Sequence, residues 1–123
     1  MVRVIICGGR EWTNEIDSFK FLDRCDKALH ITTVISGHAR GADKIGERWA
    51  TANLKELKIY PADWKKHDKA AGPIRNQQML DEAKPDYVIA FPGGTGTAHM
   101  KRIAKEANVP IAEYEVYQGM LNK

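Results

Sequence analysis

The sequence predicts an α/β fold, a five-stranded parallel sheet with helices on both faces, and three observations carry that reading. Apolar runs of strand length alternate with segments of helical period along the chain. Several of those runs stop at a glycine-rich loop: GGR after Cys7, GHARGAD after Ser36 and PGGTGT after Phe91. The intervening segments are long enough for the crossovers that return each strand parallel to the last and place a helix over the sheet.

Val2 to Cys7 reads as the first strand, continuously apolar except for Arg3. Asn14 caps a first helix with apolar positions Ile16, Phe19, Leu22, Ala28 and Leu29, ending before Thr32. Thr32 to Ser36 is the second strand, and a helix then runs to about Leu54. Leu57 to Tyr60 is a short strand ended by Pro61. Ala62 to Gly72 reads as polar and irregular, and Ile74 to Ala83 as a helix. Tyr87 to Phe91 lacks polar alternation and is rich in β-branched and aromatic residues, which predicts a strand buried on both faces. A helix from near Ala98 to Asn108, a last strand from Pro110 to Tyr114 and a loose or helical end from Val116 to Lys123 complete the chain. There is no internal repeat, linker or low-complexity segment.

At 123 residues the chain fits one domain, 1–123, able to bury about two thirds of its unfolded surface. Hydrophobic residues at 43% and charged residues at 28% exclude disorder. No apolar stretch approaches the ~18 residues of a membrane span, and no signal-peptide pattern precedes the first strand, so no membrane partner and a cytoplasmic location are expected. The net charge of +3 is spread without a basic run, which gives nucleic-acid binding little support. Cys7 ends an apolar run and Cys25 lies in a helical pattern, so both are expected to be reduced, with no disulfide. His30, His38, His67 and His99 have no metal-ligand spacing, so no metal is assigned, and no cofactor either.

The loops carry the chemistry. In an open parallel sheet, ligands bind outside the carboxyl ends of the strands where strand order reverses, and the three glycine loops, all following strands, can meet at that edge. In PGGTGT, Gly93, Gly94 and Gly96 let backbone N–H groups converge on an anion beside the positive end of a helix. A tight strand-to-helix connection is the plainer reading of the same six residues. The loop lacks the GK[ST] ending of a triphosphate-binding loop, and GxGxxG does not follow the first strand, so a monophosphate or diphosphate fits better. The hydroxyls of Thr95 and Thr97 can contact phosphate, or Thr97 can cap the helix.

Arg75 stands near a helix start, where a cation is unfavourable unless an anion compensates; the alternative is a surface pair with Asp81 or Glu82. Asn76 can donate to a ribose or phosphate, while Met79 reads as core. Asp43 is either a helix cap or a carboxylate that contacts a ribose or stabilises positive charge at a sugar carbon. Gly8, Gly9 and Arg10 form the first loop, and Gly37, Arg40 and Gly41 belong to the second; either arginine can reach a second phosphate or face water. Trp12 and Trp64 fall in loops, where one can stack on a base, and Trp49 falls in a helix and reads as packing.

The segments GGREW, SGHARGAD, PADWKKHDKAAGPIRNQQM and VIAFPGGTGTAHM, in this order, resemble the YspA and cpYpsA-related group of the SLOG superfamily over nearly the whole chain. The resemblance implies a Rossmann-like, three-layer nucleotide-binding fold and a homodimer or higher homo-oligomer with sites near subunit contacts. The superfamily includes lonely-guy phosphoribohydrolases, which cleave the N-glycosidic bond of nucleoside 5'-monophosphates with an arginine and a glutamate, and DprA-type DNA-binding proteins. Arg75 lies four residues before Met79 as that arginine lies before a methionine, but the glutamate ending PGGxGTxxE is here Met100, after His99. Two expectations follow. One is a protein that senses or sequesters a nucleotide-derived small molecule, such as a nucleoside phosphate or an ADP-ribose-like ligand. The other is a hydrolase of N-glycosidic bonds with a carboxylate from Glu11, Asp43 or Asp63.

Overall fold

In the computed structural model, which describes residues 1–121, the alternation resolves into β1 (Arg3–Cys7), α1 (Glu15–Leu29), β2 (Thr33–Ser36), α2 (Ala42–Ala52) and β3 (Glu56–Ile59). The chain continues through α3 (Trp64–His67), a 3-10 turn (Asp68–Ala70), α4 (Ala71–Gln78), a π turn (Met79–Ala83), β4 (Tyr87–Ala90), α5 (Thr95–Glu106), β5 (Ile111–Glu113) and α6 (Tyr114–Leu121). All five strands are parallel, in the order β3-β2-β1-β4-β5. The chain moves outward from β1 to β3, then crosses back to place β4 on the other side of β1. Strand order therefore reverses between β1 and β4, as the expected Rossmann-like α/β fold requires.

The period of two along a strand builds a core on each face. Val4 and Ile6 of β1, with Val34 and Ile89, pack with Phe21 and Leu22 of α1 and Trp49 of α2. Ile5 and Cys7, with Ile35, Val88 and Ala90, pack with Met79 and Leu80 beyond α4 and with Met100 and Ile103 of α5. Val88, Ile89 and Ala90 are all buried, so β4 is covered on both faces. Edge strand β3 exposes Glu56, Lys58 and Ile59, which is why its sequence pattern is the weakest.

Several element boundaries differ from the sequence reading. Asn14 does cap α1, its side chain accepting from the Asp17 N–H at 3.2 Å. The segment expected to be irregular holds α3, which Asp63 caps by accepting the Lys66 N–H at 3.1 Å. Helix α4 starts at Ala71 rather than Ile74, with Pro73 in its first turn, where a missing N–H costs no hydrogen bond. The end of the chain is helical as far as Leu121, and the remaining two residues of the expected tail lie outside the described residues. Cys7 and Cys25 are free, and burial pushes their thiols up to about 12 and about 11. Among the described residues, no helix is long and apolar enough to cross a membrane.

Candidate functional site

A cleft of about 640 Å³ opens where the loops after β1, β2 and β4 converge. Backbone contacts hold these loops together. The Gly9 N–H donates to the Pro92 carbonyl at 2.7 Å, and the Ala42 N–H donates to the Gly9 carbonyl at 3.1 Å. Such approach leaves no room for side chains. A Cβ on Gly8 would fall 2.6 Å from that of Ala42, and one on Gly93 would fall 2.7 Å from the Gly9 nitrogen. Gly41 has φ +81°, a backbone shape that L side chains rarely adopt, and abuts the Arg10 carbonyl. Gly41 and Gly93 therefore shape the rim through packing, while Gly8, Gly9, Gly94 and Gly96 line the cleft itself.

The PGGTGT segment divides differently from the sequence expectation. Helix α5 begins at Thr95, and its N-cap Gly94 offers no side-chain hydrogen bond. Thr97 is the buried third residue of the helix rather than its cap. The first intrahelical bond from this end runs from the Ala98 N–H to the Gly94 carbonyl at 3.0 Å. The N–H groups of the first turn thus have no intrahelical acceptor, and no acidic side chain occupies that turn. Cβ positions on Gly94 and Gly96 would face open space. Thr95 and Thr97 line the same cleft.

Opposite α5, Arg75 projects from the second turn of α4. Its Nη1 donates to the Gly37 carbonyl, and its Nε donates to Asn76 Oδ1 at 3.0 Å. No carboxylate on Asp81 or Glu82 pairs with it; Asp81 instead accepts from Gln77 at 3.0 Å. Because Asn76 Oδ1 accepts, its Nδ2 is the donor, to Gly96 O at 3.3 Å and to His99 Nδ1 at 3.1 Å. Asn76, 5% exposed, thus ties α4 to α5. His99 Nδ1 must accept, which calls for a neutral ring, and burial holds the His99 pKa below its usual value.

Of its two sequence readings, Asp43 does not take the cap. Gly41 is the N-cap of α2, and Asp43, in its first turn, accepts the Ala39 N–H at 3.1 Å through Oδ2. The residue is 6% exposed. Burial pushes its carboxyl up to about 6, against the Ala39 hydrogen bond and the Arg75 charge, which favour ionisation. Of the three carboxylates considered from the sequence, Asp43 lines the cleft. Glu11 is exposed and pairs with Arg40 at 2.6 Å, and Asp63 caps α3.

The tryptophans separate. Trp12 stacks with Phe91 at 5.9 Å, meets Tyr114 edge-on at 5.2 Å and donates to Ser18 Oγ at 2.8 Å, so it belongs to the core. Trp49 is fully buried, as expected. Trp64, the first residue of α3 rather than a loop residue, is 48% exposed at the cleft wall, with the Arg10 guanidinium 5.2 Å from its ring centre. Arg40 and Gly37 do not line the main cleft; with Arg10, His38, Trp64 and Arg75 they line an adjoining cavity of about 290 Å³.

Cys7, Ala39, Lys69 and Pro73 also line the cleft and were not singled out from the sequence. Strand alternation from Ile5 places Cys7 on the α4/α5 face and would have flagged it. Lys69 lies in an exposed, aperiodic stretch that offers no such signal. Met100, where the hydrolase motif has glutamate, is 1% exposed and packs into the core at the cleft wall.

The chain is 36% identical over 122 residues to the Gene 61 protein of Mycobacterium phage D29, an alignment covering 93% of this chain and 97% of that one. No solved structure matches it. A model of the YspA, cpYpsA-related SLOG family matches residues 2–67, the stretch containing GGREW and SGHARGAD. With that match over more than half its length, and with a five-stranded parallel sheet carrying both motifs at one edge, the chain belongs to the YspA, cpYpsA-related SLOG family.

Proposed function

We propose that residues 1–123 form one domain that binds a nucleotide or nucleotide-derived ligand, as a sensor or sequestering protein. A phosphate would sit at the first turn of α5. The observation that carries this reading is the uncapped start of a twelve-residue helix, opening through Gly94 and Gly96 onto the same cleft as Arg75. Free N–H groups, a helix dipole and a guanidinium all favour an anion there. Thr95 and Thr97 would add hydroxyl contacts, and Trp64 a face for a base. The test is mass spectrometry of small molecules released from purified, undialysed protein, with released ligand then returned to fresh protein. A phosphate-bearing nucleotide recovered intact supports the reading; protein that carries none and responds to none removes it.

Asp43 favours a second reading, hydrolysis of an N-glycosidic bond. A buried carboxylate in the cleft could orient water toward the anomeric carbon while the bond to the base breaks and the departing base takes up a proton. Free base in the same incubation would establish it. The superfamily resemblance supports a homodimer or higher homo-oligomer, which sedimentation would test, and two free thiols suit a reducing cytoplasm.

A further inference from the structure

Arg10, from the loop after β1, and Arg75, from α4, line both the main cleft and the adjoining cavity. Among the described residues, neither has a carboxylate oxygen within 4.0 Å, whereas Arg40, Arg48 and Arg102 each have one. Asp43, the cleft carboxylate nearest in influence to both, is held by the Ala39 N–H instead. Burial lowers the Arg75 pKa, Asp43 opposes that shift, and the Arg10 charge lowers it further. Two guanidiniums that face the same two cavities without a paired carboxylate leave N–H donors and positive charge available to an anion that joins them. Trp64 extends the same wall: Arg10 lies over its ring, and the ring lines both cavities.

We infer that Arg10 and Arg75 form a second anion subsite, so that the cleft takes a nucleotide bearing two anionic groups, its far end passing Trp64 into the second cavity. The inference rests on the proposed phosphate site at α5 and adds to it. One group sits at the start of α5 and the other bridges the guanidiniums. Pyrophosphate-linked nucleotides and nucleoside bisphosphates share this chemistry.

Calorimetric titration at fixed salt with AMP, ADP-ribose and adenosine 3',5'-bisphosphate tests it on wild type, Arg10→Gln and Arg10→Lys. Wild type is expected to bind at least one two-anion ligand about tenfold or more tightly than AMP, the worth of one charge-assisted contact. Arg10→Gln should bring that ratio close to one, and Arg10→Lys should restore part of it. Preference for ADP-ribose identifies a bridging pyrophosphate, and preference for the bisphosphate identifies separated groups. If AMP binds but neither two-anion ligand binds more tightly, or Arg10→Gln leaves the ratio unchanged, the subsite is wrong while the α5 site stands. If none of the three ligands binds, both fall. Arg10 is exposed, and melting temperature confirms that the variants fold.

Discussion

Arg75 and Asp43 meet over Gly37. A Cβ on Gly37 would lie 2.5 Å from Arg75 Nη1 and 3.0 Å from Asp43 Oδ2. The absent side chain lets the guanidinium from α4 donate to the Gly37 carbonyl beside the carboxylate from α2, on the wall of the adjoining cavity. Gly37→Ala should therefore push the guanidinium aside. Its target is the far end of a flexible side chain, so the melting temperature should change by only a few degrees. Affinity for a phosphate-bearing ligand should fall about tenfold or more. Unchanged affinity in titration would show that the position of Arg75 is immaterial to binding.

Ligand should also stabilise the fold. A nucleoside phosphate or ADP-ribose at about 100 times its dissociation constant contributes about 2.7 kcal/mol, which raises the melting temperature of a domain this size by several degrees. A thermal scan over a panel of mono- and diphosphates reads this directly. A midpoint unmoved by every member would remove the main support for the site.

Gly94→Val and Gly96→Val should abolish that shift while leaving the unliganded midpoint nearly unchanged. Their Cβ atoms would point into open space, so the fold tolerates them, yet a valine there occupies the phosphate position. Gly96 in the first turn gains helix propensity, which offsets part of any strain. Folded variants that bind as wild type does would show PGGTGT to be a connection only.

Asp43 gives a pH dependence with a definite sign. Its carboxyl titrates at about 6 in the fold against ~3.9 in an unfolded chain, so between these values the native state holds more protons. Its contribution to stability is complete below about pH 4 and is lost as pH rises through 6, amounting to about 2 to 3 kcal/mol. Asp43→Asn should remove this component. The difference in melting temperature between variant and wild type should grow in the variant's favour from pH 4 to pH 7. A difference flat across that range would mean that burial does not perturb Asp43.

The strands and the three glycine loops were legible because continuous apolar runs ending in glycine have few other meanings. Helix α3 was not legible, because all four of its residues face water or lie at the surface and leave no apolar period. The site residues were legible by type, but their partners were not. Arg75 reaches Gly37 across 38 positions, and no local pattern records that contact. Asp43 and Thr97 read equally as caps or as ligand contacts, because a cap is the local meaning of their residue types. Glycine at both N-cap positions displaced them into the first helical turn. Trp12 and Trp64 were indistinguishable in sequence, and only packing against Phe91 and Tyr114 withdraws Trp12 from the site.

Met100 stands where the lonely-guy hydrolase motif has glutamate. Its side chain is buried against the α4/α5 core at the cleft wall, so no carboxylate stands at that position. Wild type should therefore release no base from AMP, GMP, CMP or UMP overnight, as read by chromatography. Met100→Glu places a carboxylate at a site 1% exposed and packed among apolar side chains and should lower stability by about 2 kcal/mol or more, with at most slow cleavage, since catalysis also needs the sugar and water held in register. Free base from wild type that disappears in Arg75→Ala would establish hydrolysis. A loss of the same activity in Asp43→Asn, with nucleotide affinity retained, would then identify Asp43 as the carboxylate that stands in for the missing glutamate.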